Sequence, residues 1–166
     1  MNDYRQFAID AHGAQMYGDK PYAVHLMSVA EVLLDFGYNE DKWQAAAWLH
    51  DVLEDTLAEG TDIQNQWGVE VYDLVYAVTG EGANRREKQA SIIQKLHANK
   101  DACILKLADR IANLEAAIVE HNSSGKMAMY YKELPAFEKV VRKHTPPAMW
   151  DRLCDAFEFG KSKGWI

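Results

Sequence analysis

Apolar residues recur at helical spacing along nearly the whole chain. Tyr4, Phe7, Ala8 and Ala11 fall at i, i+3, i+4 and i+7 and make one face of a first helix. A polar break, Gly18-Asp19-Lys20-Pro21, precedes a second helix with Val29, Val32, Leu33 and Phe36 inward and Gly37 as its stop. Trp43, Ala46, Ala47, Leu49, Val52 and Leu53 read as a third helix, dense enough in apolar residues to be central. Thr61-Asp62 reads as the N-cap of a short helix ending near Gly68. Val71, Leu74, Val75 and Val78 give the next helix, which stops near Gly80. Residues 80–86 are the most loop-like stretch. Ile92, Ile93 and Leu96 mark a further helix, and Ile104, Leu105, Ala108, Ile111 and Leu114 another, from about 102 to 119. A break at Asn122-Ser123-Ser124-Gly125 precedes a penultimate helix with Pro135 as a kink or boundary. Thr145-Pro146-Pro147 reads as an N-cap and early-turn prolines before a last helix. No strand-like alternation, repeat or linker interrupts the pattern. The expected fold is all-α, one domain over 1–166, a helical bundle of about eight or nine helices.

Composition narrows the function classes. At 48% hydrophobic residues the chain has too much apolar content for disorder, and its 166 residues suit one core. The net charge of −7 argues against a nucleic-acid partner, so a polyanionic ligand has to be met by a local positive patch. Cys103 and Cys154 make no disulfide framework. No secretory pattern opens the chain and no apolar run approaches the ~20 residues of a membrane span, so a cytoplasmic protein without membrane partners is expected.

The third helix carries polar residues where a central helix calls for apolar ones. At about 100° per residue, His50, Glu54, Asp51 and Asp55 share one side of it, at about 0°, 40°, 100° and 140°. Three carboxylates on one side repel each other, and a cation reverses that sign. His25 lies early in the second helix. Asp109 interrupts the run Ile104 to Ile111 and needs a partner, either Lys106, Arg110 or something else, because an unpaired buried carboxylate is costly. Asn113 lies one turn beyond it. Two imidazoles and two carboxylates without a thiol suit Mn²⁺, Fe²⁺ or Zn²⁺ better than Ca²⁺. His12, His97, His121 and His144 show no such constellation and read as surface or packing residues.

The composite His25 … His50-Asp51 … Asp109 resembles the signature of HD-superfamily metal-dependent phosphohydrolases. Pro21-Tyr22-Ala23-Val24-His25, His50-Asp51-Val52-Leu53-Glu54-Asp55-Thr56 and Lys106-Leu107-Ala108-Asp109-Arg110-Ile111-Ala112-Asn113 resemble the hydrolase domain of RelA/SpoT proteins and the small stand-alone alarmone hydrolases. The likeness covers essentially the whole chain. It implies hydrolysis of the 3′-pyrophosphate of (p)ppGpp with Mn²⁺, the metal held by His25, His50, Asp51 and Asp109. Glu54 and Asp55 are then the catalytic acidic pair, and Asn113 contacts the nucleoside. Lys88 matches a lysine of the small enzymes and ranks first for phosphate contact among Lys20, Arg85, Arg86, Lys88, Lys106 and Arg110.

Two departures concern nucleoside recognition. The segment Gln15-Met16-Tyr17-Gly18-Asp19-Lys20 lacks the family's base-stacking arginine, and Tyr17 falls near its place, offering a ring without a charge. Ala116 stands where many relatives carry threonine. Another phosphorylated nucleotide, such as the 2′-phosphate of NADPH, is therefore the alternative substrate, and a catalytically silent metal- and nucleotide-binding sensor is the alternative class. The length leaves no room for a synthetase domain, so degradation alone is expected.

Overall fold

The apolar run after residue 101 becomes the axis of the molecule. Residues Ala102–Val119 form a helix in which every residue from 102 to 114 is buried. A helix covered on all sides must have neighbours on all sides, and it packs against five others. The computed structural model describes residues 3–120 and 124–166, so His121, Asn122 and Ser123, part of the break expected there, lie outside the described residues.

In chain order the described elements are α1 (Tyr4–His12), a hairpin of β1 (Met16–Tyr17) and β2 (Lys20–Pro21), α2 (Ala23–Asp35), α3 (Asp41–Leu49), α4 (Val52–Asp55), α5 (Gly60–Trp67) and α6 (Val69–Val78). They continue with α7 (Arg85–Ala98), the axial α8, α9 (Ser124–Val141), a 3-10 turn (Arg142–His144) and α10 (Pro147–Ser162). Helices α2, α3, α6, α9 and α10 surround α8. The core between them is built from Leu26, Leu33, Leu49, Leu105, Leu107, Ile111 and Leu114, all sealed from solvent. No helix among the described residues is long and apolar enough to cross a membrane.

The all-α expectation holds, with four local differences. The third helix is not continuous: it stops at Leu49 and restarts at Val52, because Asp51 sits at φ −101°, ψ −4° and Glu54 N–H bonds back three residues to its carbonyl. The hairpin is too short for alternation to reveal. It pairs Met16 with Pro21 and Tyr17 with Lys20, and Gly18 takes the positive φ of 63° that its two-residue turn requires. Helix α5 starts earlier than Thr61-Asp62, because Glu59 caps it and Asp62 returns the bond in a capping box. Thr145 does not cap α10. Its hydroxyl bonds back to Val141 and Arg142, and Pro146 precedes Pro147 at the helix start.

Candidate metal centre and cleft

Four side chains from three separate parts of the chain meet between α2, α8 and the α3–α4 junction. His25 projects from the first turn of α2, His50 and Asp51 from the junction, and Asp109 from the middle of α8. His25 Nε2 lies 3.5 Å from Asp51 Oδ2 and 3.2 Å from Asp109 Oδ1. His50 Nε2 lies 3.0 Å and 3.5 Å from the same two oxygens. The interruption of the helix is what turns the successive residues His50 and Asp51 toward one point.

The donor set fits a divalent cation. Donors about 2.0–2.2 Å from a common centre stand roughly 3.0–3.5 Å from each other, which is the range found. His50 Nδ1 donates to the Ala47 carbonyl at 2.7 Å, which leaves Nε2, buried and without a geometrically formed hydrogen bond, as the nitrogen that meets either a proton or a metal. An acceptor aimed at two carboxylates is satisfied only by a proton or a cation.

The oxygens are oriented from behind. Tyr22 donates to Asp51 Oδ2 at 2.6 Å. Lys106 Nζ donates to Asp109 Oδ2 at 2.8 Å and Asn113 Nδ2 to Asp109 Oδ1 at 2.7 Å, so the partner Asp109 needs is Lys106. Arg110 instead pairs with Glu133 and lies over the rings of Tyr130 and Phe137, with Nη1 buried and unpartnered.

Burial alone opposes charge on the cluster, but mutual attraction overrides it. Asp51 and Asp109 hold both imidazoles above the usual histidine range, His50 well above it. Asp51 is held well below the carboxylate range by His50 and His25, and Asp109 by Lys106 and the same imidazoles. The metal-free cluster therefore keeps imidazole protons above pH ~6.5, and a metal has to displace them. Metal affinity is expected to rise with pH above that value, with proton release on binding. Calorimetric titration in two buffers of different ionisation heat measures this; pH-independent affinity without proton release contradicts it.

Beside the cluster lies a cleft of about 500 Å³ lined by Glu54, Asp55, Arg85, Lys88, Lys106, Arg110 and Asn113, among others. Glu54 is held at both oxygens, by Lys88 Nζ at 2.9 Å and the Gly80 N–H at 2.8 Å. Gly80 permits this approach, since a Cβ there would stand 2.8 Å from Lys88 Cβ. Asp55 accepts from Gln15 Nε2 at 3.0 Å. Arg85 makes a two-pronged pair with Glu133.

The remaining expected substrate residues lie elsewhere. Tyr17 and Lys20 line a second cleft of about 520 Å³ that also reaches His25 and Ala116, while Arg86 is exposed and lines neither. Tyr17 lies flat on His25, with ring centroids 4.7 Å apart, and donates to Asn113 Oδ1 at 2.8 Å. Lys126, which no sequence signal singled out, donates to the Tyr17 hydroxyl at 3.1 Å; burial pushes its ammonium pKa down. Gln15 and His12 were equally hidden, because Gln15 sits between α1 and β1 and its partner Asp55 is 40 positions away.

A family model described as HD domain matches residues 5–134. The chain belongs to the HD domain family. Members of that family are divalent-metal-dependent hydrolases, and the His/Asp cluster is a site of the corresponding kind. This HD domain is 32% identical over 116 residues to guanosine-3′,5′-bis(diphosphate) 3′-pyrophosphohydrolase MESH1 of Drosophila melanogaster, covering 66% of this chain and 64% of the relative. It is 34% identical, over an alignment of 196 positions, to GTP pyrophosphokinase rsh of Brucella ovis, covering 100% of this chain and 26% of the relative. The matched region thus spans less than two thirds of these relatives. Among solved structures, a metazoan ortholog of SpoT described as hydrolysing ppGpp superposes with a TM-score of 0.77 at 23% identity, covering 98% of this chain and 94% of that one. A Listeria monocytogenes protein gives 0.67 at 24% identity, over 84% and 97%. These two show the shared fold.

Proposed function

We propose that this HD domain hydrolyses the 3′-pyrophosphate of (p)ppGpp with Mn²⁺ held by His25, His50, Asp51 and Asp109. The observation that carries this is the convergence of two His and two Asp side chains at 3.0–3.5 Å beside a cleft that also holds the pair Glu54 and Asp55. The guanosine substrate is taken from the relatives, several of which bear that activity in their names.

In the net reaction, a water oxygen bonds the phosphorus attached to the ribose 3′-oxygen and the P–O3′ bond breaks. The 3′-oxygen leaves as a hydroxyl, so ppGpp yields GDP and pyrophosphate. Bound at the cluster, the divalent cation supplies Lewis acidity toward water and phosphate oxygens. Asp55 takes the proton of the attacking water, since among the described residues only its Oδ2 is engaged. Glu54 holds Lys88 at the cleft, where Lys88, Arg85 and Arg110 meet phosphate oxygens. Asn113 contacts the nucleoside, and Tyr17 and Lys20 border the second cleft on the nucleoside side of His25. Four cationic side chains and four carboxylates line the first cleft, so an added divalent charge makes it positive for a small polyanion within an acidic protein.

The test is product analysis of the purified protein with Mn²⁺ and a nucleotide panel including ppGpp and NADPH. GDP and pyrophosphate are expected from ppGpp. Intact ppGpp beside phosphate release from another nucleotide refutes the alarmone assignment.

A further inference from the structure

We infer that His12 and Gln15 are positioning residues that set the orientation of Asp55, an inference that rests on the hydrolase reading above. Asp55 is the last residue of the four-residue helix α4 and its side chain is exposed. A proton acceptor has to be held in one orientation to be effective. Glu54 is fixed by a lysine and a backbone amide. Among the described residues, the Asp55 carboxylate has one donor, the Gln15 amide, 40 positions away in the chain.

Gln15 is itself fixed at its backbone. Its N–H donates to the His12 carbonyl at 3.0 Å, and its carbonyl accepts from Tyr22 N–H at 3.1 Å. Its side-chain amide has a donor end and an acceptor end, and a carboxylate selects the donor end. Oε1 is then left facing His12 Nδ1 at 2.8 Å, which must carry the proton. His12 is buried, and its ring stacks on Tyr22 with centroids 4.5 Å apart. Tyr22 in turn donates to Asp51. One histidine therefore braces the support of Asp55 by a hydrogen bond and the support of Asp51 by ring contact. Without the Nδ1 proton the Gln15 amide is anchored at one end only, by the carboxylate it is meant to orient.

Three variants separate positioning from packing. His12→Asn keeps an N–H where Nδ1 stands but removes the ring. His12→Phe keeps the ring on Tyr22 but removes the donor. Gln15→Leu removes both bonds at a half-exposed position. Gln15→Leu and His12→Phe are expected to lower kcat for ppGpp roughly 10- to 100-fold, the scale of outer-sphere losses. KM and metal content stay constant, and the kcat–pH profile changes shape. His12→Asn is expected to retain most of kcat. A fully active His12→Phe, or a Gln15→Leu with wild-type kcat and pH profile, overturns the inference. Imidazole ¹⁵N NMR of His12 gives a readout that does not need turnover. The Nδ1–H tautomer is expected in the wild type, with a changed signal in Gln15→Leu; an Nε2–H tautomer, or a signal unmoved in Gln15→Leu, also overturns it. If the wild type leaves ppGpp intact while the NMR result is as expected, the substrate reading fails and the hydrogen-bond relay stands.

Discussion

Asp109→Ala is expected to lose both the metal and turnover, and to weaken the metal-free protein more than Asp51→Ala does. Asp109 Oδ1 faces both imidazoles and accepts from Asn113, and Oδ2 accepts from Lys106. Removing the carboxylate deletes one of four proposed ligands. Outer-sphere partners alone cost about 10–100-fold, so loss of a ligand should exceed that in both metal affinity and rate. The substitution also leaves the buried Lys106 ammonium without its anion. Breaking a buried pair from one side costs about 3–5 kcal/mol, a large part of a typical total of about 5–15 kcal/mol. Asp51 faces the same imidazoles, but behind them it accepts only from the neutral Tyr22 hydroxyl, so Asp51→Ala leaves no lysine unpaired and should cost less than Asp109→Ala. Metal content by elemental analysis and the melting of both metal-free variants check this. Equal melting temperatures refute the claim about Lys106, and wild-type metal content in Asp109→Ala removes it from the ligand set.

The same residue shows where sequence sufficed and where it did not. An acid inside an apolar helix predicts a partner, and Lys106 is three positions away on the same face, whereas Arg110 is adjacent and points about 100° off. Helical period alone could therefore have chosen between them. It also placed His25, His50, Asp51 and Asp109 on elements able to meet, though not at distances of 3.0–3.5 Å. The break at Asp51 was not legible, since no glycine or proline marks it. The hairpin was hidden because two residues per strand leave no period to read. Tyr17, which the family resemblance puts near a base-stacking position, stacks its ring on His25. Lys126 and Gln15 reach the site across 109 and 40 positions, separations that no local pattern encodes.

Glu54→Gln and Asp55→Asn should both keep wild-type metal content and lower kcat, Asp55→Asn by about 10²–10⁴-fold, the range of general acid–base contributions, and Glu54→Gln through the position of Lys88. In Asp55→Asn the side-chain carbonyl can still accept from Gln15 Nε2, so position is preserved and only the capacity to take a proton is lost. Glu54 accepts at both oxygens, from Lys88 and from Gly80 N–H. A glutamine can accept at one end only, so its NH₂ must face one of these donors. The Gly80 N–H belongs to the backbone, whereas the Lys88 ammonium ends a flexible side chain. The Lys88 ammonium is the group that moves. Both substitutions also remove negative charge from the cleft, so KM for a polyanion should hold or fall while kcat collapses. That split distinguishes loss of chemistry from loss of binding. A rise in KM with kcat intact would make the pair a substrate contact. Unchanged kinetics in both variants would leave the chemistry to the metal centre and put the HD domain's proton acceptor outside residues 54 and 55.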